Sequence, residues 1–333
     1  MNLLKVGKKL IESPEIKSHF KDVSFIKKIQ AIQLKTEFVS FEKNINNEYL
    51  FVIWFFVEIV KTLFNIEYLV FYSFLSSLEK EKENIEKLFV LIGEVDAAIS
   101  TASLKAGNYQ LCAPNFVKTK QINSKGIYHP LIENCITNNV NLIDKSMLLT
   151  GSNMSGKTTF IRTVAINSIL AQTFYICFAE TYAAPFFKVY SSIRITDDVL
   201  EKTSYYLEEV LTVKTLVDAS KNNTPSLFVL DEIFKGTNTV ERISGGKAIL
   251  SFLNTENHMV LVSTHDIELT ELLEKENYEL YHFSEQIEND TLFFDHQLKE
   301  GRLKTRNAIK ILELYKYPER IIVEAREIEK DFF

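Results

Sequence analysis

Cysteine is scarce in these 333 residues: there are three, Cys112, Cys135 and Cys177. Their spacing has neither the pairs of a disulfide framework nor the clustered ligands of a zinc site, so the sequence predicts three packing residues in a reducing, cytoplasmic interior. A positive balance is also missing, the formal net charge being −6. Without a global basic footprint, counterion release cannot drive nucleic-acid binding over the whole surface, and any DNA contact has to be local. The basic start has no compact apolar stretch and no small-residue cleavage site, so a secretory leader is not expected. Internal repeats and low-complexity tracts are absent as well.

No uncharged run approaches the ~18 to 20 residues that span a bilayer. The most apolar stretch, Tyr49 to Leu78, is rich in Phe, Ile, Leu, Val and Tyr but is interrupted by Glu58, Lys61 and Glu67. If helical, it carries Glu58, Lys61, Asn65, Tyr72 and Ser76 as a thin polar stripe on an apolar cylinder, the pattern of a helix buried in a bundle or a dimer. Residues 1 to 35 carry eight Lys against Glu12, Glu15 and Asp22, a local balance of +5. That flank keeps a second reading open, in which residues 49–78 attach to a membrane surface or a protein partner.

What is present is concentrated farther along the chain. Residues 151 to 158 read Gly-Ser-Asn-Met-Ser-Gly-Lys-Thr, a complete G-x-x-x-x-G-K-[ST] loop between the apolar run Ser146-Met-Leu-Leu-Thr150 and a helix-like stretch from Thr159 to Phe174. A Gly-rich turn exposes backbone N–H groups, the helix start adds its positive dipole end, Lys157 reaches the β- and γ-phosphates, and Thr158 offers its hydroxyl to Mg²⁺. The expected ligand is a nucleoside triphosphate. Ser226-Leu-Phe-Val-Leu-Asp-Glu232 then reads as a strand buried on both faces that ends on two carboxylates. At the carboxyl end of a parallel sheet, Asp231 is placed to hold Mg²⁺ and Glu232 to orient and deprotonate an attacking water. A third strand, His258-Met-Val-Leu-Val-Ser-Thr-His265, puts His265 on the γ-phosphate side.

Together these segments resemble the MutS ATPases of DNA mismatch repair, within the ABC-like class of P-loop proteins. Thr150 to Arg162 is similar to the TGPNMxGKS/T-T-x-x-R loop, Asp231 to Thr239 to DEIGRGTST, and Ser263-Thr-His265 to the A/S-T-H switch. Ile193 to Asp198 resembles TRIGAxDD, Thr203 to Glu208 resembles STFMxE, and Tyr128-His-Pro130 resembles the RHP turn. The likeness runs over roughly residues 85 to 330. It implies ATP bound with Mg²⁺ by Gly151, Ser152, Asn153, Met154, Ser155, Gly156, Lys157, Thr158 and Thr159, and a homodimer in which Thr203, Ser204 and Asn238 act on the partner's nucleotide. By position relative to Gly301, His296 falls near the adenine, although Asp295-His296 equally reads as a solvated turn. Thr203-Ser204 reads also as a helix N-cap, and both roles are compatible. Double-stranded DNA is the implied partner. Ser152, Ser155, Phe234, Lys235 and Asn238 depart from the family pattern, and the segment after Gly301 lacks its S-Y-G triplet; none of these removes a phosphate or magnesium ligand. A mismatch-reading domain with its Phe-x-Glu wedge does not fit in the first 105 residues, so mismatch recognition by this chain alone is not expected, and neither is a nuclease.

The expected fold is α/β: a P-loop ABC-type ATPase domain with a mostly parallel sheet over residues 106–333, preceded by a mainly helical domain over residues 1–105. Gly107-Asn-Tyr-Gln and Cys112-Ala-Pro-Asn mark the boundary. Strands and helices should alternate from there to about residue 285. The tail reads as one or two amphipathic helices broken near Pro318, suited to dimerisation.

Overall fold

The computed structural model describes residues 2–19, 25–27, 29, 55–56, 59–152, 154–193, 205–255, 257–288, 291–303 and 308–332. The chain divides into two compact units, Met1–Gly107 and Asn108–Phe333.

The first unit holds α1 (Asn2–Glu12), α2 (Pro14–His19), α3 (Ile66–Lys80) and α4 (Lys82–Ala106). Gly7 lies where α1 meets α4: a Cβ there would stand 2.5 Å from Leu88 Cδ1, so the missing side chain permits the close approach. Leu88 and Leu91 of α4 close a small core with Phe25, Ile26 and Ile29, and Leu10 and Ile11 of α1 pack against it. Around α3, expected to be buried in a bundle or a dimer, much of the apolar surface is exposed within the single chain. Leu63, Phe64, Tyr68, Leu69, Phe71 and Tyr72 are exposed, while Lys61, expected on the polar stripe, is buried. A helix apolar on nearly every side needs more neighbours than the described residues of this unit supply. Glu58 lies outside the described residues. Among the described residues no helix is long and apolar enough to cross a membrane.

The second unit is built on a six-stranded sheet of order β12-β9-β4-β8-β7-β6. Its strands are β4 (Ser146–Thr150), β6 (Lys188–Ser192), β7 (Ser226–Asp231), β8 (His258–Thr264), β9 (Tyr278–His282) and β12 (Lys299–Glu300). All neighbours pair in parallel except β12 with β9. Every residue of β4 and β8 is buried, as uninterrupted apolar runs require when helices cover both faces. One core layer lies under α5 (Lys157–Phe174), through Phe160, Ile161 and Val164. The opposite layer lies under α6 (Tyr205–Ser220), α7 (Thr239–Leu253) and α8 (Glu268–Glu274), through Val213, Leu250 and Leu269.

Alternation of strands and helices begins at β4, later than expected. Ahead of it, β1 (Asn115–Phe116), β2 (Gln121–Ile127) and β3 (Asn138–Ile143) join β5 (Thr181–Ala184) in a separate, largely antiparallel sheet. In β3 burial alternates residue by residue, the mark of a sheet packed on one face and wet on the other. A hairpin, β10 (Glu285–Glu288) and β11 (Thr291–Phe294), precedes β12. The tail forms α9 (Ala308–Leu314) and α10 (Glu319–Phe332). Lys316 turns left-handed at φ +56 and Tyr317 N–H bonds Leu312 O at 3.1 Å, closing α9 ahead of Pro318.

Candidate functional site

Sheet register brings the singled-out residues to one edge. Thr150 lies beside Thr264, and Asp231 beside Ser263, so the loop after β4, the carboxylates after β7 and His265 after β8 emerge side by side. The loop's own backbone explains its glycines. Gly151 has φ +152, and a Cβ on it would meet Phe283 O at 2.9 Å; Gly156, at φ +109, begins α5. Met154 also takes positive φ and is exposed, whereas Ser155 is buried and its hydroxyl donates to Ser152 O at 2.8 Å. Asn153 lies outside the described residues.

Lys157 folds back over the loop and donates to Gly151 O at 2.7 Å and Ser152 O at 2.8 Å. Burial pulls its ammonium down to about 8, against the opposing pull of Glu232, Asp231 and Glu285. The Thr158 hydroxyl lies 2.9 Å from both Asp231 oxygens, and Ser263 donates to the same carboxylate. A hydroxyl and one carboxylate form an all-oxygen pair, the donor set that suits Mg²⁺, an ion that keeps waters and shares substrate phosphates.

Glu232 sits in the left-handed region at φ +57. Its Oε1 lies 2.7 Å from His265 Nε2 and its Oε2 lies 2.6 Å from Lys235 Nζ. The His265 hydrogen bond is the main reason its carboxyl falls to about 2, overcoming burial, with Lys235 assisting. His265 Nε2 is also 3.3 Å from Lys157 Nζ. An ammonium has only hydrogens to offer, so the Nε2 hydrogen goes to the carboxylate and Lys157 is turned to the loop.

A cavity of about 1010 Å³ runs from this cluster to Tyr128, Ile132, Ile136 and Asn138 of the smaller sheet and its connecting loop. Thr159 and His296 also line it. The His296 ring bonds Ser155 O through Nδ1 at 2.9 Å, so it leans on the loop between β4 and α5 itself. Asn238 is an N-cap, its Oδ1 accepting from Glu241 N–H at 3.0 Å. Thr203 and Ser204 lie outside the described residues.

Three residues were not singled out in the sequence. Glu209, buried on α6, accepts from the backbone N–H of Phe234 and from that of Lys235 at 3.4 Å, clamping the turn that carries Glu232. Burial pushes its carboxyl up, and those N–H groups oppose the shift. Arg242 of α7 grips Asp266 with two hydrogen bonds at 2.8 and 2.6 Å, fixing the residue after His265. Asn138 accepts from Leu298 N–H at 2.6 Å and donates to His296 O at 3.1 Å, holding the strip that carries His296. Each works through a partner remote in sequence, so no local spacing marks it.

Fold and site together define a mixed α/β protein with a glycine-bearing loop and a pair of carboxylates at the carboxyl edge of a parallel sheet. Residues 147–332 match the family model for MutS domain V, and the chain belongs to the MutS family. Among curated proteins it is similar to the DNA mismatch repair protein MutS of Natronomonas pharaonis, with 30% identity over 272 residues covering 79% of this chain and 31% of that protein. The MutS of Listeria welshimeri is 31% identical over 276 residues, covering 79% and 32% of the two chains. The MutS of Shouchella clausii is 31% identical over 284 residues, covering 82% and 32%. The chain thus spans about a third of the length of these relatives.

Proposed function

We propose that the chain is a MutS-type P-loop ATPase of the ABC-like class that binds ATP with Mg²⁺ and, as a homodimer, couples hydrolysis to a conformational change on double-stranded DNA in mismatch repair or related DNA maintenance. The observation that carries this reading is the convergence of Lys157, Thr158, Asp231 and Glu232 on one end of a single cavity, with His265 against Glu232 and Lys157. The loop from Gly151 to Thr159 receives the triphosphate, Lys157 turning from its own carbonyls to the β- and γ-phosphates. Thr158 and Asp231 hold Mg²⁺, which neutralises charge on the phosphates when bound. Glu232 orients and deprotonates the attacking water; His265 and Lys235 hold its carboxyl down in the resting site, and the departure of either raises its basicity. For Glu232 to receive that water, one of its present partners, His265 or Lys235, moves away. His265, next to Lys157, then faces the γ-phosphate. His296 and Asn138 border the far part of the cavity, where the base fits. Thr203, Ser204 and Asn238 are assigned to the partner's nucleotide, and α9 and α10 to dimerisation.

The exposed apolar side chains between Leu63 and Tyr72 support a second reading. In it the same dimeric switch acts on a protein partner or a membrane surface, not on DNA.

The deciding experiment is steady-state ATP hydrolysis by the purified chain with and without duplex, mismatched and branched DNA, at low and physiological salt. The first reading expects salt-sensitive stimulation by DNA; turnover indifferent to every DNA supports the second. Glu232→Ala is expected to lower turnover roughly 10²- to 10⁴-fold while ATP stays bound. Turnover near wild type in that variant would remove Glu232 from the mechanism under both readings.

A further inference from the structure

Cys112 and Cys177, remote in sequence, stand opposite each other in an isolated antiparallel bridge. Each donates its N–H to the other's carbonyl, at 3.0 and 2.9 Å. A hydrogen-bonded antiparallel pair holds its Cα atoms about 5.5 Å apart, inside the roughly 4.4–6.8 Å that a disulfide spans. Side chains of directly opposed residues project to the same side, which brings the two sulfurs to one face of the bridge. Both are free cysteines.

We propose that Cys112 and Cys177 form a redox site that closes reversibly to a disulfide by exchange with a low-molecular-weight disulfide such as oxidised glutathione. The two sulfurs have different surroundings. Cys112 is half-buried and within reach of a small disulfide, whereas Cys177 is fully buried and its Sγ donates to Asn167 O at 3.9 Å. Cys112 is therefore the attacking sulfur. Its thiolate attacks one sulfur of glutathione disulfide, forming a mixed disulfide and releasing one glutathione thiolate. Cys177 then gives up its proton and attacks the Cys112 sulfur, expelling the second glutathione. The protein dithiol is oxidised by two electrons, one glutathione disulfide is reduced to two thiols, and the protons lost by the cysteines end on the departing sulfurs.

The bond would staple two strips that back the cavity. Tyr128, which lines the cavity, donates through its hydroxyl to Gln110 O at 3.1 Å and through its N–H to Phe178 O at 3.0 Å. Phe178 stacks edge-on against both Tyr109 and Tyr128. Gln110, two residues before Cys112, and Phe178, next to Cys177, thus grip the same wall residue. Cys135, which lines the same cavity, accepts from His129 N–H at 3.4 Å and serves as an internal control.

The test is equilibration of the full chain in glutathione buffers of graded potential, followed by alkylation and peptide mapping. The expected result is joint loss of the Cys112 and Cys177 thiols, a linked peptide lighter by two hydrogens, and full reversal by dithiothreitol. Cys135→Ser should leave the linkage intact, and Cys112→Ser should leave Cys177 as a free thiol. The proposal is overturned if both thiols stay free in the most oxidising buffer, if Cys112 stops as a mixed disulfide with glutathione, or if Cys135 is the linked partner. The wild-type chain alone decides among these outcomes, so none depends on how a variant folds.

Discussion

Lys157 carries a charge into a place that strips away its water, and its present partners are two backbone carbonyls. Burial lowers it to about 8, so near neutral pH the ammonium is kept, but with less reserve than a surface lysine has. A triphosphate would supply the missing counter-charge and raise this pKa again. The sign follows from linkage: nucleotide binds the protonated form, so affinity is full below about pH 8 and falls as pH rises above it, approaching tenfold per pH unit until the bound-state pKa is reached. Calorimetry with magnesium-free ATP between about pH 7 and about pH 9.5 should show this fall together with proton uptake. A flat profile would mean that the lysine is not what holds the phosphates. Lys157→Ala should abolish tight binding across the range.

At the scale of elements, the decisive piece is the turn between β7 and α7. It carries positive φ at both Glu232 and Phe234, conformations that side-chain-bearing residues adopt only when their surroundings enforce them. Glu209 on α6 supplies that enforcement by accepting from consecutive N–H groups of the turn. Glu209→Ala would leave buried donors without an acceptor, costing about 1–3 kcal/mol of stability, and would let Glu232 drift, with kcat falling roughly 10- to 100-fold while KM changes little. Glu209→Gln keeps an acceptor oxygen and should recover most of the rate. If the alanine and glutamine variants were equally impaired, charge and not positioning would be the role of Glu209. The contrast with Lys157 shows what a sequence discloses. A phosphate loop is contiguous, and β4, β7 and β8 advertise burial by unbroken apolar runs, so their ends could be brought to one edge by topology alone. Glu209, Arg242 and Asn138 act across breaks in sequence, and Cys112 meets Cys177 through a bridge between two loops, so none had a local signature. The region around Tyr49 to Leu78 shows a related limit. An apolar helix reads as buried, but where it is buried depends on how many neighbours the chain provides, and α3 leaves Phe71 and Tyr72 exposed.

At the scale of the whole molecule, the cavity is bordered by Lys157, Thr158, Asp231 and Glu232, the residues proposed to act on ATP, while those assigned to the second chain, Thr203 and Ser204, precede α6 in sequence. A homodimer with two composite sites makes a sharp prediction about mixtures. Glu232→Ala inactivates a site through its own chain, whereas Ser204→Arg inactivates the site of its partner, so each variant alone should be inactive. In a one-to-one mixture that exchanges freely, half of the dimers are mixed, and each mixed dimer contains one site with an intact Glu232 facing an intact Ser204. Turnover should then return to about a quarter of the wild-type rate. Mixing by unfolding and refolding together, with ATP hydrolysis read before and after, measures it. If activity stays at the level of the separate variants, Ser204 works within its own chain and the composite site is wrong; if it returns, hydrolysis requires two chains to close on each nucleotide, so that ATP binding itself is the event that changes the shape of the dimer.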